Sequence, residues 1–138
     1  MAQKEAKARI KINKLLEESG WRLLDSKEGK ANVYLESNVK MEDLGDNFEN
    51  TKRGFIDYEL RDKDKRTLAI LEAKSEDKHP LSAKEQARRY ANGRDARFVI
   101  LSNGNLHYFW DLESGNPHQI ITLPREEDFQ YKEDFFLH

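Results

Sequence analysis

Cysteine is absent from the 138 residues, and proline (three) and glycine (seven) are sparse. The missing cysteine excludes disulfides, thiolate nucleophiles and cysteine-ligated zinc. The four histidines, His79, His107, His118 and His138, show no ligand spacing, so a histidine metal cluster is not expected. Neither G-x-x-x-x-G-K-[ST] nor G-x-S-x-G occurs, which removes a Walker-type ATP site and a nucleophile elbow. Long apolar runs are missing too, the longest being the four residues of Leu68–Leu71 and Phe98–Leu101. A membrane span needs about 20 such residues and a signal peptide about 7–15. Nor does one sign of charge dominate: 24 Lys and Arg face 26 Asp and Glu, a net of -2. That excludes a globally basic nucleic-acid coat protein but leaves room for a local basic groove. What remains, 37% hydrophobic and 36% charged residues, suits one soluble cytoplasmic domain. A chain of this length buries roughly 65–70% of its unfolded surface, enough for a sheet with covering helices.

Patterning along the chain predicts a mixed α/β layout, a central β-sheet with helices on its faces. Ala8, Ile12, Leu15 and Leu16 recur at helical spacing within a helix over 3–19, and Gly20 stands where a C-terminal cap belongs. A short strand is expected over 31–36. Residues 36–50 set Lys40 against Glu36, Glu42, Asp43, Asp46 and Glu49 and read as a mobile acidic loop. Gly54–Arg61 and Thr67–Lys74, split by the polar Asp62–Lys65, form a hairpin. After His79-Pro80, Ser82 and Glu85 have the spacing of a capping box that opens a helix to about Asn92. Phe98–Leu101 suits a buried strand, Asn103-Gly104 a two-residue turn and Leu106–Trp110 the return strand. A last strand is expected over Gln119–Leu123. From Arg125 onward, two basic residues stand against five acids and four aromatics. This stretch reads as a linker or docking tail (125–138) beside a domain over 1–124.

The hairpin concentrates the chemistry. Side chains alternate along a strand, so Asp57 and Glu59 share one face of the first strand, and Glu72 and Lys74 share one face of the second. A turn centred near Asp64 sets Asp57 opposite residues 70–72, so two carboxylates and a lysine converge at one end of the hairpin. Close carboxylates repel unless a cation lies between them, and such oxygen ligands suit Mg²⁺. Glu72 ends the apolar run Leu68–Leu71, where a carboxylate without a partner is costly. A lysine beside a metal orients a water and stabilises charge on a phosphate, as metal-assisted phosphodiester hydrolysis requires. The alternative is ordinary surface charge, since Asp, Glu and Lys are abundant here. In the following helix Gln86 and Tyr90 are neighbours on one face. Between 81 and 100, Lys84, Arg88, Arg89, Arg94 and Arg97 exceed Glu85 and Asp95, a local net of +3. These cations suit a phosphate backbone, or simply a solvated helix face. Glu5 falls in the middle of the first helix's apolar stripe, where an acid needs a partner, either Arg9 one turn on or a metal.

Gly54-Phe-Ile-Asp-Tyr58, Leu71-Glu-Ala-Lys74 and Lys84-Glu-Gln-Ala-Arg-Arg-Tyr90 together resemble the N-terminal nuclease domain of the type I restriction enzyme motor (R) subunit. That domain belongs to the PD-(D/E)XK nuclease superfamily. The resemblance runs from about Ile10 to Trp110 and includes Ser19-Gly-Trp21 and Ser102-Asn-Gly104. The resemblance implies a restriction-endonuclease-like core in which Asp57 binds Mg²⁺, which Mn²⁺ can replace. It makes Glu72 the second acidic ligand and the Ala73 carbonyl a third. It assigns Lys74 to the attacking water, and Gln86 and Tyr90 to site support and DNA contact. Related nucleases often bring an acid from the first helix to the metal, a role that falls to Glu5. Ile56 stands where the superfamily name expects proline. The implied partners are double-stranded DNA, an ATP-using helicase-like motor in the same polypeptide, and specificity and methylation subunits. On this reading the chain is a piece of a longer polypeptide whose tail from Arg125 contacts the motor. The alternative function is a nuclease-like DNA-binding or interaction module without cleavage of its own.

Overall fold

The computed structural model describes residues 3–38 and 55–129, with side chains described over 3–35 and 57–129. Most of the expected acidic loop (39–50) and the end of the tail (130–138) lie outside the described residues. The elements are α1 (Gln3–Glu18), β1 (Val33–Asn38), β2 (Phe55–Arg61), β3 (Thr67–Ala73), α2 (Lys84–Gly93), β4 (Phe98–Ser102), β5 (His107–Asp111) and β6 (His118–Ile120). The six strands form one sheet whose order follows the chain, β1 to β6. Every ladder is antiparallel except β3–β4. There the chain crosses over through α2, the connection that parallel neighbours require. No helix among the described residues is long and apolar enough to cross a membrane.

Alternation along the central strands builds two apolar layers. Tyr58, Leu60, Leu71, Phe98, Ile100 and Phe109 meet Ile12 and Leu16 of α1 on one face. Ile70, Val99, Leu101 and Trp110 meet Ala87, Tyr90 and Ala91 of α2 on the other. Burial on both sides explains why Phe98–Leu101 is apolar without alternation; all five residues of β4 are buried. α1 ends as its Gly20 predicts. Gly20 adopts φ +91°, its N–H donates to Glu17 O and the Trp21 N–H to Leu16 O, both at 3.0 Å. This pair of bonds is a Schellman closure, and it turns Trp21 onto the core beside Leu16.

Three local expectations change. Ser82 does not cap α2. Pro80 fixes its own φ and starts a one-turn 3-10 helix (Pro80–Ala83) early. His79 Nδ1 caps that turn by accepting from the Leu81 N–H (3.1 Å), and Ser82 Oγ donates to His79 O (2.6 Å). α2 then begins after Ala83 with no side-chain cap. The β4–β5 connection spans residues 103–106, closed by Asn103 Oδ1, which accepts from the Asn105 (3.0 Å) and Leu106 (2.8 Å) N–H groups. The stretch after Pro124 is not wholly outside the core. Residues 126–129 are helical, and Phe129 is fully buried, with ring centroids 5.1 Å from Phe98, 5.9 Å from Phe109 and 6.1 Å from Trp21. Leu123 is buried too, so β6 stops at Ile120 and the chain leaves the sheet to reach the core.

Candidate active site

The β2–β3 register pairs Tyr58 with Leu71, which sets Asp57 against Glu72 at the next step. At that step the side chains take over the ladder's hydrogen bonds. Asp57 Oδ2 accepts from the Ala73 N–H at 3.0 Å, and the Asp57 N–H donates to Glu72 Oε1 at 3.5 Å. Both carboxyl groups are buried, Asp57 at 0% and Glu72 at 2% exposure. Buried carboxylates require such partners, because leaving water costs several kcal/mol per ion. Asp57 has a cation as well. Arg9 of α1 donates Nη2 to Asp57 Oδ1 at 2.7 Å, its guanidinium lying 5.8 Å from the Tyr58 ring centroid. From α2, Gln86 Nε2 donates to Glu72 Oε2 (3.5 Å) and to the Tyr90 hydroxyl (3.2 Å). The Gln-x-x-x-Tyr pair therefore stands directly behind the second carboxylate.

Lys74 is the first residue past β3 and is half-buried. Its N–H donates to Ser102 O at 2.8 Å, continuing the β3–β4 ladder by one residue. Ser102 Oγ accepts from the Gly104 N–H (2.9 Å) and shares a hydrogen bond with His107 Nδ1 at 2.8 Å. Burial holds the His107 pKa below that of a free imidazole. On the α1 side, burial pushes the Tyr58 phenol up to about 12. Its hydroxyl donates to Asn13 Oδ1 (2.8 Å) and reaches Arg9 O (3.4 Å), fastening α1 to the strand that carries Asp57.

The remaining candidates fall elsewhere. Glu5 lies in line with Ala8, Ile12 and Leu16, but burial begins only at Ala8. The first turn overhangs the packed layer and Glu5 is exposed. Among the described residues no group of three or more His, Asp or Glu could hold a metal ion, so Glu5 does not join Asp57 and Glu72. Arg88 is bound to Glu85 at 2.9 Å on the outer face of α2, and Arg89 is half-buried. Part of the local +3 is neutralised from outside the segment. Arg97 makes a two-pronged bond to Asp111, both arms 2.9 Å, and Arg94 approaches the buried Glu59 at 3.5 Å.

Two residues matter more than their sequence context indicates. Arg9 partners Asp57 from 48 residues away, where the helical pattern alone relates it to Glu5. Glu59 shares the buried face of β2 with Asp57 but is bonded to Arg61 (2.9 Å) and Thr67, which makes it a fastening within the sheet. For a metal, Asp57 and Glu72 offer hard oxygen donors of the kind Mg²⁺ takes, joined by main-chain carbonyls such as that of Ala73. The donor set fits: Asp57 already holds a cationic group, the Arg9 guanidinium, against Oδ1.

Comparison with curated proteins gave no match. Among solved structures, the chain is similar to a fragment described as an HsdR subunit of a type I restriction enzyme from Vibrio vulnificus YJ016, with a TM-score of 0.71 and 23% identity. That likeness shows the fold, and it covers 96% of this chain but only 26% of the other. The family model described as type I restriction enzyme R protein N terminus matches residues 29–124, well over half of the chain and inclusive of Asp57, Glu72, Lys74, Gln86 and Tyr90. The chain therefore belongs to the type I restriction enzyme R protein N-terminus family.

Proposed function

We propose that this domain is the Mg²⁺-dependent DNA endonuclease of a type I restriction enzyme R subunit, hydrolysing backbone phosphodiester bonds. The observation that carries the reading is the buried pair Asp57 and Glu72, opposed on β2 and β3 and backed by Gln86, in a chain of this family. A bound Mg²⁺, or Mn²⁺ in its place, supplies Lewis-acid polarisation of the phosphate and activates water. Asp57, Glu72 and the Ala73 carbonyl are the residues that hold it. Lys74, two residues beyond Glu72 and half-buried, orients the attacking water and sets a positive charge near the phosphate as negative charge develops. Gln86 fixes the rotamer of Glu72, and Tyr90 fixes Gln86 in turn. Arg88 and Arg89 on α2 draw the DNA backbone. Double-stranded DNA is the substrate. ATP acts only through a helicase-like motor elsewhere in the polypeptide, and specificity and methylation subunits select the sequence.

Calorimetric titration with Mn²⁺ tests the reading. The wild-type chain is expected to bind at one class of site, and Asp57→Ala to lose it. Binding that persists unchanged in Asp57→Ala removes the basis of the mechanism.

A further inference from the structure

The Asp57 carboxylate is satisfied oxygen by oxygen. Oδ2 is engaged by the Ala73 N–H at 3.0 Å, and Oδ1 is engaged by the Arg9 guanidinium at 2.7 Å. These two partners differ in how freely they move. The Ala73 amide belongs to β3, hydrogen-bonded into the middle of the sheet, and cannot withdraw without breaking a ladder. Arg9 holds Asp57 through a long flexible side chain that keeps 26% exposure, so its guanidinium has a path to water. Its main chain is pinned, because the Tyr58 hydroxyl reaches Arg9 O and bonds Asn13 one turn on. A side chain on a fixed stem, able to leave, faces a carboxylate that is fully buried and requires a cation.

We propose that Arg9 and the divalent metal ion are alternative cationic partners of Asp57 Oδ1, so that Arg9 sets how tightly the metal is held. The proposal rests on the reading of Asp57 as a metal carboxylate. Two cations against one buried oxygen repel strongly, and the guanidinium, having the route to solvent, is the one that yields. A cation already held against the same oxygen opposes a divalent ion there by like-charge repulsion, a penalty of about tenfold or more in affinity. Arg9 thus keeps the buried carboxylate neutralised before metal loading, and it confines metal occupancy to concentrations that overcome the exchange. The segment matched by the family model begins at residue 29, so this control is exerted by a helix outside it.

The test is Mn²⁺ calorimetry, with thermal unfolding in parallel, on the wild-type chain, Asp57→Ala and three further variants. Arg9→Gln is expected to bind Mn²⁺ about tenfold or more tightly, since it removes the competing charge while keeping a polar side chain. Arg9→Lys, which restores a cation, is expected to return toward wild-type affinity. Lys7→Gln, the same charge change at an exposed position on α1, is expected to leave affinity unchanged. Arg9→Gln is expected to unfold at a lower temperature without metal and to recover more than the wild type when Mn²⁺ is added, because tighter binding stabilises the fold more. Equal or weaker Mn²⁺ binding in Arg9→Gln overturns the proposal, as does equal tightening in Lys7→Gln. An Arg9→Gln chain that stays unfolded even with Mn²⁺ overturns it also. If the wild type binds Mn²⁺, Asp57→Ala does not and Arg9→Gln matches the wild type, the exchange is wrong and the metal site stands. If neither wild type nor Arg9→Gln binds Mn²⁺, both readings fall. Binding by Arg9→Gln alone supports the exchange in its strongest form.

Discussion

Three fully or almost fully buried carboxylates, Asp57, Glu59 and Glu72, stand on two adjacent strands, and their partners separate their roles. Glu59 is bound by Arg61 and approached by Arg94, partners that tie the sheet to the end of α2. Asp57 and Glu72 bind main-chain N–H groups at the point where their ladder gives way, and helix side chains meet both, Arg9 at Asp57 and Gln86 at Glu72. Among the described residues the half-buried Lys74 side chain has no hydrogen-bond or ion-pair partner, its N–H alone joining the β3–β4 ladder. Lys74→Ala in the full-length enzyme is therefore expected to abolish plasmid cleavage while ATP hydrolysis persists. Its effect on stability is expected within about ±1 kcal/mol, as for substitutions away from packed or networked groups. Lys63→Ala, an exposed turn lysine, serves as the control and is expected to cleave normally. Cleavage by Lys74→Ala at the wild-type rate removes its catalytic role. At this scale the sequence was informative where period-2 alternation decides the outcome: it placed Asp57 opposite residues 70–72, and the structure sets it against Glu72. It could not pair Arg9 with Asp57, because nothing local relates a helix position to a strand 48 residues later.

Among the elements, the strands and both helices follow from periodicity, and the mismatches come from residues answering to distant partners. Phe129 carries no periodic signal in its acidic neighbourhood, yet it closes the aromatic group formed by Trp21, Phe98 and Phe109. Trp21 reinforces the closure by donating Nε1–H to Pro124 O at 2.9 Å. Phe129→Ala in the 138-residue chain is expected to cost about 3–5 kcal/mol, the usual range for truncating a buried phenylalanine. Urea unfolding followed by tryptophan fluorescence measures it directly. A loss below about 1 kcal/mol, the level of a surface substitution, shows that the stretch after Pro124 is not part of the core in solution. The capping box fails for a different reason: a proline two residues earlier starts a turn of its own, and the local geometry is spent before Ser82 can act as a cap.

Across the whole molecule the charge is nearly balanced at -2, and Arg94 and Arg97 of the 81–100 stretch are bound to acids from elsewhere in the fold. The chain alone is expected to bind duplex DNA weakly and without sequence preference. With roughly two to four phosphates contacted, log affinity should fall against log salt with a slope of about -2 to -4. Fluorescence anisotropy on unrelated duplexes over a salt series measures it. Tight binding to one duplex alone reveals a base-reading surface absent from this account. The plan of the sheet bears as well on how the molecule comes into being. Strand order equals chain order, so during synthesis each strand meets a partner already made, and only the β3–β4 pairing waits for a helical crossover. Contacts between near neighbours favour fast folding, since little loop entropy is lost in forming them. α1 is the exception. It precedes every strand, yet its ledge of Ile12 and Leu16 packs against Tyr58, Leu60 and Leu71 as well as the later Phe98 and Phe109, and Trp21 is covered by Pro124 and Phe129, more than a hundred residues on. The layer around α1 is thus closed late, by residues that follow the last strand.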